Sequence, residues 1–219
     1  MKTQKFSLLI VVYFLPVILL YAQENKITPD LSEINNADKW TVYNRKAKNV
    51  KADQSVYLNA GEGSGFARLN DFNFRNGSID VDIKGKDEFQ RSFLGIAFHG
   101  INDSTYEAIY FRPFNFKNPE RNSHSVQYVS EPKNTWYVLR QEHPEEYENP
   151  VNPVPDPADW FHVTIIIKYP SIRVFVNNAT ESSLEINQLG GQKEGWLGLW
   201  VGNGSDGSFR NLVITTNDK

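Results

Sequence analysis

Residues 91–116, RSFLGIAFHGINDSTYEAIYFRPFNF, place side chains that can do chemistry among apolar ones. His99 and Glu107 can accept a proton, and Arg112 can polarise a carbonyl group or bind an anion. Two tyrosines in the same stretch combine an apolar ring with a hydroxyl group, which suits them to a polar ligand. A β-hairpin does not need these residue types to fold, so the stretch is the first candidate for a functional site.

Alternation along this stretch predicts two strands and assigns their faces. The core face is predicted to carry five apolar residues, Leu94, Ile96, Phe98, Ile109 and Phe111. The opposite face is predicted to carry four side chains for a ligand, His99, Tyr106, Tyr110 and Arg112. Glu107 has the parity of the core face and lies near the hairpin end. We therefore expect the hairpin to form the floor of a binding face.

The composition is that of a globular protein. The chain has 219 residues, of which 40% are hydrophobic and 22% charged, so one large domain is expected. A net charge of -3 gives no basic surface and argues against a nucleic-acid partner. The chain has no cysteine, so neither a disulfide nor a lipid anchor on cysteine can form, and the core alone must hold the fold.

Residues 1–22 are predicted to be a signal peptide. The positive segment MKTQK precedes the apolar run FSLLIVVYFLPVILLYA, and Ala22 is a small residue suited to the position before cleavage. The alternative is an uncleaved membrane anchor, which Pro16 and the modest length of the run disfavour. We expect an exported protein, periplasmic or extracellular, without membrane attachment after cleavage. Residues 23–39 are predicted to be a polar lead-in.

Residues 40–219 are predicted to form one all-β domain. Short apolar or alternating runs, among them GSIDVDIKG, FHVTIIIKY and GWLGLWVG, are bounded by turn-forming residues, and no convincing helix is present. The region 115–159 is predicted to be irregular apart from a strand at SVQYVS, and it either lines a site or rigidly connects two sheets. Many short strands predict a β-sandwich or jelly roll.

Six segments occur in an order that is similar to a known bacterial family. They are FRNGSIDVDIKG, RSFLGIAFHG, TYEAIYFRPFNF, SVQYVS, PDPADWFHVTIIIK and GWLGLWVGNGSDGSFRNLVI. The chain resembles secreted, often Bacteroidetes, proteins with the concanavalin A-like jelly-roll fold, in the laminin G-like, family 16 glycoside hydrolase-like or 3-keto-disaccharide hydrolase groups. The resemblance implies two antiparallel sheets packed face to face, with a carbohydrate on the concave face.

True family 16 hydrolases carry three acids on one strand, spaced E-x-D-x-x-E or E-x-D-x-E. The nearest match here is Asp80 and Asp82, with Lys84 in the third position. Same-face neighbours on a strand lie about 6–7 Å apart, whereas a retaining pair needs about 5 Å. The acid triplet of that family is therefore absent, and its hydrolytic reaction is not expected.

The resemblance to 3-keto-disaccharide hydrolases implies a different reaction. The keto group acidifies the neighbouring C–H, so cleavage needs a base and a group that polarises the carbonyl. The candidates are His99 as the base and Arg112 as the polarising group, with Glu107 as a further candidate. No specific motif transfers a catalytic residue to this chain, so whether it is an enzyme stays open here.

A carbohydrate-binding function needs fewer special groups. Aromatic rings can contact sugar C–H groups, polar side chains can bind hydroxyls, and Gly95 and Ala97 leave room beside them. The predicted carbohydrate-binding residues are Asp80, Asp82, His99, Tyr106, Tyr110, Arg112, Gln127, Trp136 and Arg140. The alternative is that Arg112 only forms a cross-strand ion pair with Asp80 or Asp82.

Other candidates have weaker support. No metal site is predicted, no cofactor is expected, and the turn NGSDG with Asn203 and Asp206 is only a weak candidate for a structural calcium. Trp196 and Trp200 are interpreted as packing residues. A laminin G-like module that recognises protein, or a structural part of the cell envelope, remains a third function. The oligomeric state cannot be predicted.

Overall fold

The computed structural model describes residues 24–217, which contain fifteen strands and one α-helix. Residues 1–23, with the predicted signal peptide, and residues 218–219 lie outside the described part. In chain order the strands are β1 (Glu24–Ile27), β2 (Trp40–Tyr43), β3 (Ala47–Val50), β4 (Ser55–Leu58), β5 (Gly65–Leu69), β6 (Gly77–Lys84), β7 (Leu94–Asn102), β8 (Thr105–Phe111), β9 (Val126–Glu131), β10 (Glu148–Asn149), β11 (Phe161–Lys168), β12 (Ser171–Val176), β13 (Leu184–Asn187), β14 (Trp196–Val201) and β15 (Gly207–Asn217). The helix, α1, spans Trp136–Glu142.

The strands form two antiparallel sheets that pack face to face. Sheet A has eight strands in the order β13-β12-β11-β6-β15-β4-β3, with β1 also paired to β15. Sheet B has seven strands in the order β10-β9-β8-β7-β14-β5-β2. The fold is a concanavalin A-like jelly-roll sandwich, as the sequence predicts.

The core lies between the sheets and is built by strict alternation. In β6, Ile79, Val81 and Ile83 are buried, while the residues between them are half-buried on the outer face. In β7 and β8 the five apolar residues assigned to the core are all buried there. The predicted core face of the hairpin is therefore confirmed.

The segment before residue 40 is part of the sandwich. Strand β1 pairs with the last strand, placing Ile27 opposite Ile214. A short 3₁₀ helix at Leu31–Glu33 follows, and Leu31 and Ile34 are buried in the core. The prediction of a polar lead-in over residues 23–39 is wrong for residues 24–39, because two apolar side chains in a polar segment are enough to anchor it.

The region 115–159 has more structure than its sequence predicts. Strand β9 confirms the strand predicted at SVQYVS. Helix α1 was not predicted; it begins after Thr135, whose hydroxyl accepts a hydrogen bond from the backbone N–H of Val138. Strand β10 then pairs with β9 at the edge of sheet B. Within residues 24–217, no helix has the length and apolar content that crossing a membrane requires.

Candidate functional site

A groove of about 670 Å³ lies over the outer face of sheet B, the face that points away from sheet A. The region between β8 and β10 contributes a wall through Thr135, Trp136 and Arg140. Six aromatic side chains line the groove, Phe89, Phe93, Tyr110, Phe114, Trp136 and Trp200. A second depression, of about 740 Å³, lies near residues 28–32 and 49–55 and is lined by no aromatic side chain. The aromatic groove is therefore the stronger candidate for a ligand site.

The floor of the groove is closed around Gly95. Strand pairing places Gly95 between Tyr110 and Trp200, whose ring centroids lie 5.1 Å apart. A Cβ atom at Gly95 would lie 2.0 Å from the carbonyl oxygen of Ile109, so only glycine fits this backbone approach. The prediction that Gly95 leaves room for a sugar ring is therefore wrong, because the two rings enclose it. A ligand would lie on the rings instead.

A buried ionic cluster supports one wall of the groove. Glu148, only 4% exposed, lies between Arg112 and Arg140. Its carboxylate accepts hydrogen bonds from Arg140 Nε at 2.9 Å and Arg140 Nη2 at 2.8 Å, and Arg112 Nη1 lies 3.4 Å away. His124 Nδ1 is 2.8 Å from the same carboxylate. Glu148 thus binds two arginines, beside His124, at one end of sheet B.

Arg112 is buried rather than displayed. It is 4% exposed, and its guanidinium donates to the hydroxyl of Tyr110 at 2.6 Å, to the backbone carbonyl of His124 at 3.0 Å, and to Gln127 Oε1. The guanidinium carbon lies 4.9 Å from the centroid of the Tyr110 ring. Burial lowers the pKa of Arg112. Arg112 therefore positions Tyr110 and the groove wall. Most of its guanidinium N–H groups are already bonded within the protein, so few can contact a ligand.

The predicted residues on β8 and β9 share the groove face. Tyr110 and Arg112 line the groove, and Gln127 lies buried beside them. Tyr106 lies further along the same face, 5% exposed, and its hydroxyl accepts a hydrogen bond from Trp200 Nε1 at 3.2 Å. Trp136 and Arg140 complete this group from helix α1. The structure thus brings six predicted residues to one face of sheet B, and their binding roles stay predictions.

Glu131 is a carboxylate that the sequence analysis did not consider. It follows Gln127 and Val129 on the groove face of β9 and lines the groove. Burial raises the pKa of Glu131, and within residues 24–217 no cation pairs with its carboxylate. The raised pKa favours the protonated form of Glu131 in the folded state. The folded protein therefore loses stability as the pH rises from the pKa that Glu131 has in the unfolded chain through its higher pKa in the folded one. Such a group is available to a ligand or to proton transfer.

His99 does not reach the groove. A β-bulge between Phe98 and Asn102, with His99 at φ 51°, turns its ring away from the predicted face. The ring is fully buried; Nε2 donates to the backbone carbonyl of Arg75 at 2.9 Å, and Nδ1 lies 3.3 Å from Glu107 Oε1. The prediction that His99 lines the binding face is wrong, and it is not the base of a reaction in this groove.

Glu107 lies on the core side of sheet B, as its parity predicts. It is 1% exposed and accepts hydrogen bonds from the hydroxyl of Tyr128 and from Gln188 Nε2, the latter at 3.0 Å. Together with His99 these residues form a buried polar network whose groups partner one another. Since Glu107 faces away from the groove, the structure contradicts its candidacy as a catalytic group there.

Asp80 and Asp82 lie on the other sheet. They project from the outer face of β6 toward His162, whose Nδ1 is 2.8 Å from Asp82 and whose Nε2 is 3.6 Å from Asp80. The carboxylates of Asp80 and Asp82 beside it raise the pKa of His162. Neither aspartate can share a site with Arg112, so both the predicted joint site and the predicted ion pair are wrong. Arg112 pairs with Glu148 instead.

The two residues considered for calcium already have protein partners. Asp206 is 5% exposed and accepts hydrogen bonds from Lys86 Nζ and the hydroxyl of Tyr57, both at 2.6 Å. Asn203 accepts from the backbone N–H of Gly63 at 2.7 Å. These contacts give the NGSDG turn a structural role at the rim of the groove.

The groove contains residues that sequence reasoning missed or set aside. Trp200 was interpreted as packing, yet it lines the groove. Glu131 could have been found, because it continues the alternation of Gln127 and Val129. Arg121 and Glu148 lie in segments without a periodic pattern, and only the folded chain brings them to the wall.

The chain matches the model of a known protein family. The model of the 3-keto-alpha-glucoside-1,2-lyase-like domain matches residues 31–215. The chain belongs to this family, and the resemblance seen in the sequence is confirmed. Among curated proteins, none matches the chain significantly.

Solved structures share the fold at low sequence identity. The carbohydrate-binding module CBM66 from Bacillus subtilis is 14% identical, with a TM-score of 0.55 over 82% of this chain and 97% of that one. The Bacillus licheniformis β-glucanase is also 14% identical, with a TM-score of 0.55 over 88% and 98%. The exoplasmic/lumenal domain of VIP36, in a Ca²⁺/Man3GlcNAc-bound form, is 13% identical, with a TM-score of 0.51 over 82% and 84%. At these identities the likeness defines the fold.

Proposed function

We propose that this protein binds a carbohydrate in the groove of sheet B. The observation that carries the proposal is the lining itself, in which six aromatic rings lie beside a wall of fixed polar groups. Aromatic rings contact the C–H faces of sugars, and preorganised polar groups bind hydroxyls without first losing conformational freedom. The names of the fold's neighbours, a carbohydrate-binding module and a lumenal domain with a bound oligosaccharide, support the same function.

Trp136 is the side chain best placed to report on binding. It lines the groove at the start of helix α1, is 48% exposed, and lies beside the Arg140 guanidinium, which is 5.3 Å from its ring centroid. An exposed aromatic ring held by a cation beside it is a suitable surface for a sugar ring. Its removal leaves the buried Arg112–Glu148 pair in place.

Trp136→Ala is expected to weaken binding of any bound oligosaccharide by about tenfold, the equivalent of one stacking contact. The measurement is isothermal titration calorimetry with a panel of oligosaccharides. Trp160→Ala is the matched control, because Trp160 also lies beside an arginine, 4.3 Å from Arg210, and does not line the groove. Equal affinities of both variants and the unaltered protein would rule out the groove as the site.

A second candidate function is cleavage of a 3-keto glucoside by elimination, which the family and Glu131 favour. A base removes the proton at C2, which the C3 carbonyl acidifies. The C–H electron pair forms a C1–C2 double bond as the C1–O bond breaks, and the leaving oxygen gains a proton. Glu131 replaces His99 as the candidate base, because it lines the groove and burial raises its pKa toward that of an effective base.

Glu131→Gln is expected to abolish release of the aglycone from a 3-keto disaccharide while binding is retained, since the amide keeps the shape but cannot accept the proton. Product analysis by chromatography follows the reaction, and calorimetry follows binding. Turnover by the unaltered protein that survives in Glu131→Gln would exclude Glu131 as the base. Binding without turnover in the unaltered protein would leave recognition as the function.

Export of the protein is a separate proposal. The positive start and the apolar run over residues 6–22 support removal of a signal peptide after Ala22 and a periplasmic or extracellular location. Such a location would give the groove access to glycans outside the cytoplasm.

A further inference from the structure

The groove carries more positive than negative charge. Arg112, Arg121 and Arg140 line it. Two carboxylates, Glu148 and Glu131, belong to the same region. Three guanidinium groups against two carboxylates make the groove positive on a chain whose net charge is -3. A local charge opposite to that of the whole chain indicates selection of an oppositely charged ligand.

Arg121 is the guanidinium most available to a ligand. It lies 4.6 Å from the centroid of the Phe89 ring, and its Nε donates to Asn115 Oδ1 at 3.3 Å. Across residues 24–217, no carboxylate lies within ion-pairing distance of Arg121. The ring and the amide fix the guanidinium plane, so its terminal N–H groups are positioned for an acceptor that the protein does not supply.

A continuous set of contacts connects Arg121 to the buried cluster. Asn115 Nδ2 and Arg112 Nη1 both donate to the backbone carbonyl of His124, each at 3.0 Å. Arg112 then reaches Glu148, which also binds Arg140. The guanidinium groups are thus held at fixed positions along one wall. Fixed, stacked guanidinium groups bind carboxylate and sulfate through pairs of N–H groups. Recognition of a neutral sugar does not require such pairs.

We propose that the groove selects an anionic glycan, one that carries carboxylate or sulfate groups, with Arg121 as the principal residue that binds the anion. The inference rests on the proposed function and narrows its ligand class. It assigns the aromatic floor to the sugar ring and the arginine wall to the acidic substituent.

The test uses matched pairs of oligosaccharides that differ only in the anionic group. The first set consists of tetramers of β-1,4-linked glucose, of β-1,4-linked glucuronate and of sulfated β-1,4-linked glucose. The second set pairs tetramers of galactose with tetramers of galacturonate, and the third pairs tetramers of mannose with tetramers of mannuronate. Calorimetry is expected to give at least tenfold tighter binding of one anionic member than of its neutral partner, the effect of one hydrogen-bonded charge pair. Comparison of the glucuronate tetramer with the sulfated glucose tetramer shows whether the groove selects a carboxylate or a sulfate group.

Arg121→Gln is expected to remove this preference, so that the anionic member binds no more tightly than its neutral partner. Arg173→Gln is the control, because Arg173 also stacks on an aromatic ring, 5.7 Å from the Phe175 centroid, but lies on sheet A. Neutral members that bind as tightly as anionic ones would overturn the inference and leave carbohydrate binding standing. Absence of binding across all the sets would overturn both.

Discussion

Glu148→Ala is expected to lower the free energy of unfolding by about 3–5 kcal/mol, the cost of leaving a buried charge without its partner. Arg112 is 4% exposed and cannot move its guanidinium into water without disrupting the groove wall. Its neighbours Tyr110 and Gln127 offer it neutral oxygen atoms, which do not replace a carboxylate. Arg140 would also lose both of its bonds to Glu148.

Urea denaturation of the variant and the unaltered protein measures this change. Glu185→Ala serves as the control, because Glu185 is exposed and lies opposite Arg173 on the surface of sheet A. Substitutions at exposed positions of that kind usually change stability by less than about 0.5 kcal/mol. A loss of less than about 1 kcal/mol in Glu148→Ala would show that the cluster is not the support of the groove wall.

Ile96→Asp is expected to prevent folding. Ile96 is 1% exposed in the centre of sheet B, between Ile109 on β8 and Leu199 on β14. The substitution removes a side chain whose burial contributes about 1.5–3 kcal/mol and places an unpaired carboxylate in an apolar environment, which adds several kcal/mol. Together these losses are comparable to the whole stability of a typical domain.

Circular dichroism and the yield of monomeric protein report the outcome. Ile101→Asp makes the same chemical change near the end of the same strand, where Ile101 is 58% exposed, and should alter stability by less than about 0.5 kcal/mol. A cooperatively folded Ile96→Asp protein would contradict the assignment of this face to the core.

Local alternation predicts the sheets well but not which strands become neighbours. The pattern of β6 correctly placed Asp80 and Asp82 on an outer face. It could not reveal that β6 lies in sheet A while the hairpin lies in sheet B, because strand order depends on contacts far apart in sequence. The predicted meeting of these aspartates with Arg112 failed for this reason.

Irregular backbone accounts for the other errors at the site. The bulge after Phe98 reverses the side expected for His99, and a bulge has no reliable pattern in a single sequence. Helix α1 has only seven residues, too few for a helical period, although Thr135 supplies a capping signal. Glu148 comes from a two-residue strand after an irregular segment, so only the fold places its carboxylate beside Arg112.

The tryptophan indole signals in a ¹H–¹⁵N NMR spectrum would test the central claim most directly. The chain has five tryptophans, and they report on different surfaces. Trp136 and Trp200 line the groove, whereas Trp160 lies beside Arg210 on sheet A and Trp40 is 3% exposed in the core. Titration with the tetraglucuronate and tetraglucose pair is expected to shift the Trp136 and Trp200 signals and leave Trp160 and Trp40 unchanged. Binding that shifts Trp160 while Trp136 and Trp200 stay fixed would contradict the groove as the carbohydrate site.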